Sequence, residues 1–311
     1  MRVAVLGTLD VHLRAEVDRL PRPGETVSSR GLVREPGGAG TLQAIAAARL
    51  GAEVSMYGCV GADPFGDEVV AALSAAGVNP SAVERSAAAP TGASLVFVGP
   101  NRHQLAAHAP GANAMLDGEY VTRHISRIRD ADAVLLDLAA PLATLQAVLS
   151  ALPRERPVVV LHPIAARPPS PLTWERVDFA VGSRDELEVQ AGWTSGTTED
   201  AARVSQAFLD RGVRNVVITL GIEGAYLVEQ AGVTRFPPRA VPVVDATGAT
   251  ETFCAALAVK LAAGRGPYEA LGYATAAAAV AASRRGGIAS LPASADVQAL
   301  LSRASSPSQP G

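Results

Sequence analysis

The sequence predicts an α/β fold, a doubly wound and mostly parallel sheet flanked by helices, with a small β-sheet lid. Three observations predict it. Short β-rich runs alternate with runs of helical periodicity along most of the chain, the pattern of a parallel sheet with helices on both faces. Of the 311 residues, 48% are hydrophobic and 18% charged, enough for a sizeable core and too apolar for disorder. Two segments, about 10–35 and 93–108, hold strand-like pieces with no helix between them.

Met1 to Gly7 runs directly into a strand pattern, without the charged region, apolar core and cleavage site of a signal peptide. A glycine-rich turn at Gly37-Gly38-Ala39-Gly40 then opens a helix that ends near Gly51. Val54 to Cys59, Ala133 to Asp137, Val158 to His162, Phe179 to Val181 and Asn215 to Leu220 read as buried strands. Phe65 to Ala76, Leu142 to Leu152, Arg184 to Ala191 and Asp200 to Arg211 read as the intervening helices, with Thr197-Thr198-Glu199-Asp200 capping the last of them. Glu251 to Leu261 carries apolar residues at helical spacing. One large domain over 1–302, with the lid as its appendage, is expected, followed by a mobile tail at 303–311 that is poor in apolar residues.

Several function classes fall away on composition. A net charge of -3 and the lack of a basic run leave no electrostatic footprint for nucleic acid or a membrane surface. No apolar stretch approaches the roughly 18 residues of a membrane span. Cys59 and Cys254 sit in apolar contexts without metal or redox spacing, so a reduced, cytoplasmic compartment is expected. Lys260 is the only lysine and no P-loop precedes it, which excludes a Walker A kinase and a protein-kinase phosphate lysine. Phosphate charge would have to be met by backbone amides, arginine or a metal ion.

Such amides are expected at Val244-Asp245-Ala246-Thr247-Gly248-Ala249-Thr250-Glu251-Thr252-Phe253, a small-residue turn entering a helix. A helix start presents unpaired N–H groups and the positive end of the macrodipole, so Gly248, Ala249 and Thr250 are candidate anion-hole residues. Glu251 places a carboxylate in the first turn, where it can take a proton from a substrate. Taken alone, the same turn also reads as plain structure.

Together with Gly37 to Gly51, Leu6-Gly7, Pro23-Gly24-Glu25-Thr26, Val60-Gly61-Ala62-Asp63-Pro64-Phe65-Gly66, Gly111-Ala112-Asn113 and Thr219-Leu220-Gly221, the Asp245 stretch resembles the ribokinase-like (PfkB) carbohydrate kinase family. The resemblance runs from Val3 to about Pro292. It implies ATP-dependent phosphoryl transfer to a small-molecule hydroxyl, with ATP and Mg²⁺ and, at Asp245, a monovalent cation such as K⁺. The lid would close over the substrate and offer a homodimer contact. Glu251 falls where the family has its catalytic aspartate, and Thr250 where it has glycine. Glu186 matches a glutamate tied to magnesium and phosphate, with Ser183 in place of the asparagine of that motif. Thr219 and Gly221 match a nucleotide-side loop.

The sugar-holding positions implied by the resemblance depart from it. The lid aspartate falls at His12, the asparagine of the glycine-rich turn at Leu42, and a later glutamate at Ala139, with Gly38 on the same turn. Plain ribose is therefore an unfavourable acceptor, since a diol without its bidentate partners loses hydrogen bonds. Asp10, two residues before His12, can present a carboxylate from the same strand face. His12 itself reads first as a lid residue with its own hydrogen bond and second as a substrate contact, while His103, His108, His124 and His162 show no metal spacing and read as structural. Arg167 and Arg284-Arg285 can contact phosphate or simply face solvent. Two readings stay open: a kinase for a less polar hydroxyl-bearing acceptor, and a protein of the same scaffold that binds nucleotide or metabolite without phosphoryl transfer.

Overall fold

The computed structural model describes residues 1–99, 104–163, 172–192 and 198–305. Among the described residues the main sheet has nine strands: β1 (Arg2–Leu6), β4 (Glu53–Gly61), β5 (Asn79–Ser86), β8 (Ala133–Asp137), β9 (Val158–His162), β10 (Phe179–Ser183), β11 (Asn215–Thr219), β12 (Ala225–Glu229) and β13 (Gly232–Phe236). Their order is β13-β12-β11-β10-β9-β8-β1-β4-β5. All neighbours run parallel except the last hairpin, where β12 pairs antiparallel with both β11 and β13.

Both faces of this sheet are covered, and the side-chain alternation shows how. Val3 and Val5 of β1, Ala133 and Leu135 of β8, and Phe179 and Val181 of β10 enter one core cluster; Ala4, Leu6, Val134, Leu136 and Ala180 enter a second. Successive residues of a strand point to opposite faces, so a strand buried on both sides reads as one apolar run. The first cluster packs α1 (Ala39–Arg49), α2 (Pro64–Ala75), α7 (Ala249–Ala262) and α8 (Pro267–Ala282). The second packs α3 (Gly118–Arg129), α4 (Leu142–Ala151), α5 (Arg184–Ala191) and α6 (Thr198–Asp210). α7 is buried around much of its circumference, from Thr252 to Val259, which explains its run of small residues.

The lid is a separate four-stranded sheet, ordered β3-β2-β6-β7, from β2 (Asp10–Val17), β3 (Ser29–Gly37), β6 (Gly92–Val98) and β7 (Gln104–Ala109). The final helix α9 (Ser294–Ser305) carries ordered structure past residue 302, beyond the expected start of the tail, because Val297 anchors it in the core. Residues 306–311 of the expected tail lie outside the described residues, as do Thr197 of the expected cap, His103 and Arg167. Among the described residues no helix is long and apolar enough to cross a membrane.

The chain leaves β1 in one direction toward β4 and β5 and returns on its other side at β8, so the order reverses between β1 and β8. Ligands in open α/β sheets bind outside the carboxyl ends of the strands at such a point. Here those ends are Leu6, Asp137, His162, Ser183 and Thr219.

Candidate active site

The start of α7 faces this crevice. Gly248 is its N-cap at φ 85, a left-handed conformation that favours glycine. The Ala249 amide, expected in the anion hole, instead donates to Ala246 O at 3.0 Å, because the tight turn folds that carbonyl under it. Thr250 and Glu251, further along the first turn, have no intrahelical carbonyl to meet; the Glu251 amide turns to its own carboxylate, which leaves the Thr250 amide to an anion. Thr252 closes the first turn, with both its N–H and its hydroxyl donating to Gly248 O, at 2.9 and 2.7 Å.

Glu251 sits among charges from two strand ends and the first turn of α5. Burial raises its carboxyl above the ordinary carboxylate range; His162 opposes that shift, while Glu186 and Asp137 add to it. His162, the last residue of β9, is 0% exposed, with Nε2 3.4 Å from Glu186 Oε1 and Nδ1 3.3 Å from Gln43 Nε2. Burial works against the imidazolium, but Glu186, Glu251 and Asp137 outweigh it and raise His162. Burial likewise opposes ionisation of Glu186, yet His162 and Ser183 bring its pKa down to about 2. Ser183 and Glu186 also form a capping box at the start of α5: Ser183 N donates to Glu186 Oε2 at 2.7 Å, and the Glu186 amide donates to Ser183 Oγ at 3.3 Å.

Beside this cluster lies a mainly apolar cleft of about 500 Å³. Ser183, Thr219, Gly221, Ala249, Thr250, Phe253, Thr275, Ala278 and Ala279 line it. The structure thus brings five expected residues, Ser183, Thr219, Gly221, Ala249 and Thr250, to one wall system, with Thr250 next to Glu251. A smaller hollow of about 190 Å³ around Arg2, Glu53 and Asp130 lies at the opposite, N-terminal edge of the sheet and holds none of these residues.

On the lid side, Asp10 is 2% exposed and accepts Asn113 Nδ2 at 2.8 Å, with His108 Nδ1 3.6 Å from its other oxygen. Burial and the nearby Asp137 push its pKa up to about 7, against the Asn113 hydrogen bond. Asp137 is fully buried and accepts Thr8 N at 2.6 Å, Ala139 N at 3.0 Å and Ala140 N at 3.2 Å. Ala139 therefore contributes its amide to a turn and has no side-chain acceptor to offer. His12 Nε2 accepts the Gly38 amide at 3.1 Å, so these two candidate substrate residues are committed to each other. Burial first, then His108 and Arg14, lower the His12 pKa, in keeping with a neutral acceptor ring. Leu42 is 2% exposed and packed into the first core cluster, which leaves it almost no surface for a ligand.

Asp245 accepts Thr247 N at 3.0 Å and Gly286 N at 3.1 Å, and Arg14 Nη1 lies 3.4 Å from its Oδ2. Burial opposes its ionisation, and these amides with Arg14 hold it below the ordinary range. This donor set does not fit the monovalent cation expected there: its oxygens face N–H groups and a guanidinium. Glu186 is ionised, but Ser183 N and Oγ donate to its Oε2 and His162 Nε2 faces its Oε1, so only the remaining lone pairs of this one carboxylate are left for magnesium on nucleotide phosphates. Among the described residues, no group of three or more His, Cys, Asp or Glu gathers as a metal site.

Sequence reasoning gave no role to Asp137, Asn113, Gln43 or Arg14, and read His108 and His162 as structural. Two of these were signalled, since Asp137 and His162 close β8 and β9 at the switch point. The remainder depend on contacts between segments about a hundred or more residues apart.

A family model described as pfkB family carbohydrate kinase matches residues 1–294. The ribokinase of Bacillus subtilis is 31% identical over 301 residues, covering 96% of this chain and 99% of its own. The deoxyribokinase of Salmonella typhi is 28% identical over 254 residues, covering 81% and 83%. The structure of Arabidopsis thaliana ribokinase complexed with ribose and ATP superposes with a TM-score of 0.85 at 28% identity, covering 96% of this chain and 98% of that one.

Proposed function

The chain belongs to the pfkB family of carbohydrate kinases, and from that membership we propose that it transfers the terminal phosphoryl group of ATP to a hydroxyl of a sugar-like or nucleoside-like small molecule other than plain ribose. The observation that carries this reading is the placement of Glu251 in the first turn of α7, within the charge of His162 and Glu186 and next to Thr250, which lines the 500 Å³ cleft.

In this reading the adenine and ribose of ATP lie in the cleft against Thr219, Gly221 and Ala279, and the terminal phosphate faces the Thr250 amide. Glu251 takes the proton of the acceptor hydroxyl as that oxygen bonds to phosphorus; the bond from phosphorus to the β,γ-bridging oxygen breaks, and ADP leaves with its electron pair. A base whose pKa is raised toward the working pH accepts a proton more readily, and His162 keeps the carboxylate ionised when substrate is bound. Held near Glu186, magnesium would neutralise charge on the phosphates.

The acceptor differs from ribose because His12 and Gly38 bond each other, Leu42 is in the core and Ala139 lacks an acceptor. Asp10, supported by Asn113, is the carboxylate left to hold a substrate hydroxyl. The apolar outer lid residues Leu32, Leu95 and Leu105, 70%, 48% and 49% exposed, support a homodimer contact there.

One observation favours a second reading. Thr250 brings a branched side chain to the cleft edge where the terminal phosphate would enter, and the Ala249 amide is already spent, as a scaffold that binds nucleotide without transfer would allow. Incubation with ATP, Mg²⁺ and a panel of sugars, nucleosides and alcohol metabolites separates the two. An acceptor-dependent phosphorylated product supports the kinase; calorimetric nucleotide binding with no product across the panel supports the binder.

A further inference from the structure

We propose that the guanidinium of Arg14 is the resident cation at Asp245, standing where the family resemblance places a monovalent metal ion, and that it latches the lid onto the loop that opens α7. Only its consequence for nucleotide binding rests on the kinase reading.

Arg14 lies in the middle of β2, opposite Val33 and Val96, and shares a strand face with Asp10 and His12. That face looks toward the site, since Asp10 and His12 make the contacts described above. Arg14 Nη1 and Asp245 Oδ2 are 3.4 Å apart, with side chains 20% and 19% exposed, so the pair is shielded from most solvent screening. The other donors to Asp245 are the Thr247 and Gly286 amides and the Thr247 side chain. A carboxylate surrounded by two amides, a hydroxyl and a guanidinium is held as an anion in a nest, whereas a metal needs oxygen lone pairs turned toward it. The neighbouring carbonyls are also engaged: Ser290 Oγ donates to Gly287 O at 2.8 Å and to Thr247 O at 3.4 Å.

A second lid residue completes the row. Glu35 of β3 pairs directly across from His12, and its carboxylate lies over Gly287; a Cβ added to Gly287 would come within 2.4 Å of Glu35 Oε2. Arg14 acts electrostatically on both Glu35 and Asp245. Two lid residues therefore carry a carboxylate and a guanidinium onto Asp245 and the Gly286-Gly287 turn of the body. A potassium ion entering this row would meet a fixed positive charge a few ångströms away, which costs it the attraction it would otherwise gain from Asp245. Because the charge is covalently part of β2, it is present only when the lid strand is in place.

The test compares melting of the purified protein in potassium, sodium and choline chloride at equal ionic strength, with calorimetry of a non-hydrolysable ATP analogue in each salt. The wild type is expected to melt alike in all three and to bind the analogue with no potassium dependence. Arg14→Met is expected to gain a potassium-specific rise in melting temperature and, without potassium, to bind the analogue roughly tenfold more weakly. Arg14→Lys, which keeps the charge, is expected to restore potassium independence. Should Arg14→Met fail to fold, wild-type crystals grown in rubidium chloride decide: no anomalous peak at Asp245 supports the inference. Saturable potassium-specific stabilisation of the wild type, or a rubidium peak beside Asp245, overturns it. Should the analogue bind neither protein, the kinase reading fails while melting still reports on the cation.

Discussion

His162 Nε2 lies 3.4 Å from Glu186 Oε1, joining the last residue of β9 to the first turn of α5 within the electrostatic field of Glu251. His162 is raised above its ordinary 6.5, so its contribution to stability is fully present below about pH 6.5 and lost as pH rises through the folded value. Glu186 is lowered to about 2 from 4.5, so its contribution is present above 4.5 and lost only as pH falls toward 2. The melting advantage of wild type over His162→Gln is therefore expected to be largest in the window just below pH 6.5 and to shrink in alkali. An advantage that stays flat across that range would show that the pair is not charged.

Asp10 carries the opposite sign. The unfolded chain ionises it near 3.8, while the folded protein resists until about 7, so folding is penalised progressively as pH rises through that interval. Asp10→Asn keeps an acceptor for Asn113 and removes the penalty. The variant is expected to melt above wild type at pH 8, with the gap closing toward pH 4, and to bind acceptor more weakly. Equal melting at both ends would contradict the burial of a charged Asp10.

The cleft predicts a blocking substitution. Ala279 of α8 lines it and is only partly buried, so a larger side chain can project into the empty space without overpacking the core. Ala279→Phe is expected to weaken nucleotide binding by roughly tenfold or more while melting stays within about 2 °C of wild type. Unchanged affinity in calorimetry would move the nucleotide elsewhere.

Thr250 is the second residue of α7 and borders the same cleft. Thr250→Gly widens the entrance to the helix-start amides and is expected to raise turnover by roughly tenfold. It costs about 0.5–1 kcal/mol of stability as a glycine in a helix, a fall of about 2–3 °C in melting temperature. A fall in turnover would show that the threonine supports the phosphate rather than crowding it.

The architecture was legible because its strands are buried on both faces. Val158 to His162 and Asn215 to Leu220 are β-branched runs with no helical spacing, and periodicity alone separates them from α4 and α6. The antiparallel hairpin β12–β13 and helix α3 were not singled out, since Ala225–Glu229 and Gly118–Arg129 mix polar and apolar residues. At the site, the helix start could be read because its signal is local: small residues, then a carboxylate. The capping box at Ser183-Arg184-Asp185-Glu186 was equally local, yet the resemblance drew attention to magnesium instead. The His12–Gly38 bond, the Arg14–Asp245 pair and the burial of Leu42 belong to tertiary packing, which no spacing in the chain encodes.

The most direct test of phosphoryl transfer at the start of α7 is single-turnover transfer of labelled terminal phosphate from ATP to the acceptor panel, by wild type and by Glu251→Gln. The account predicts product from wild type, a rate about 10²- to 10⁴-fold lower for Glu251→Gln, and nucleotide affinity changed by no more than about threefold. Wild type that binds ATP yet phosphorylates nothing, or Glu251→Gln that transfers as fast as wild type, would contradict it.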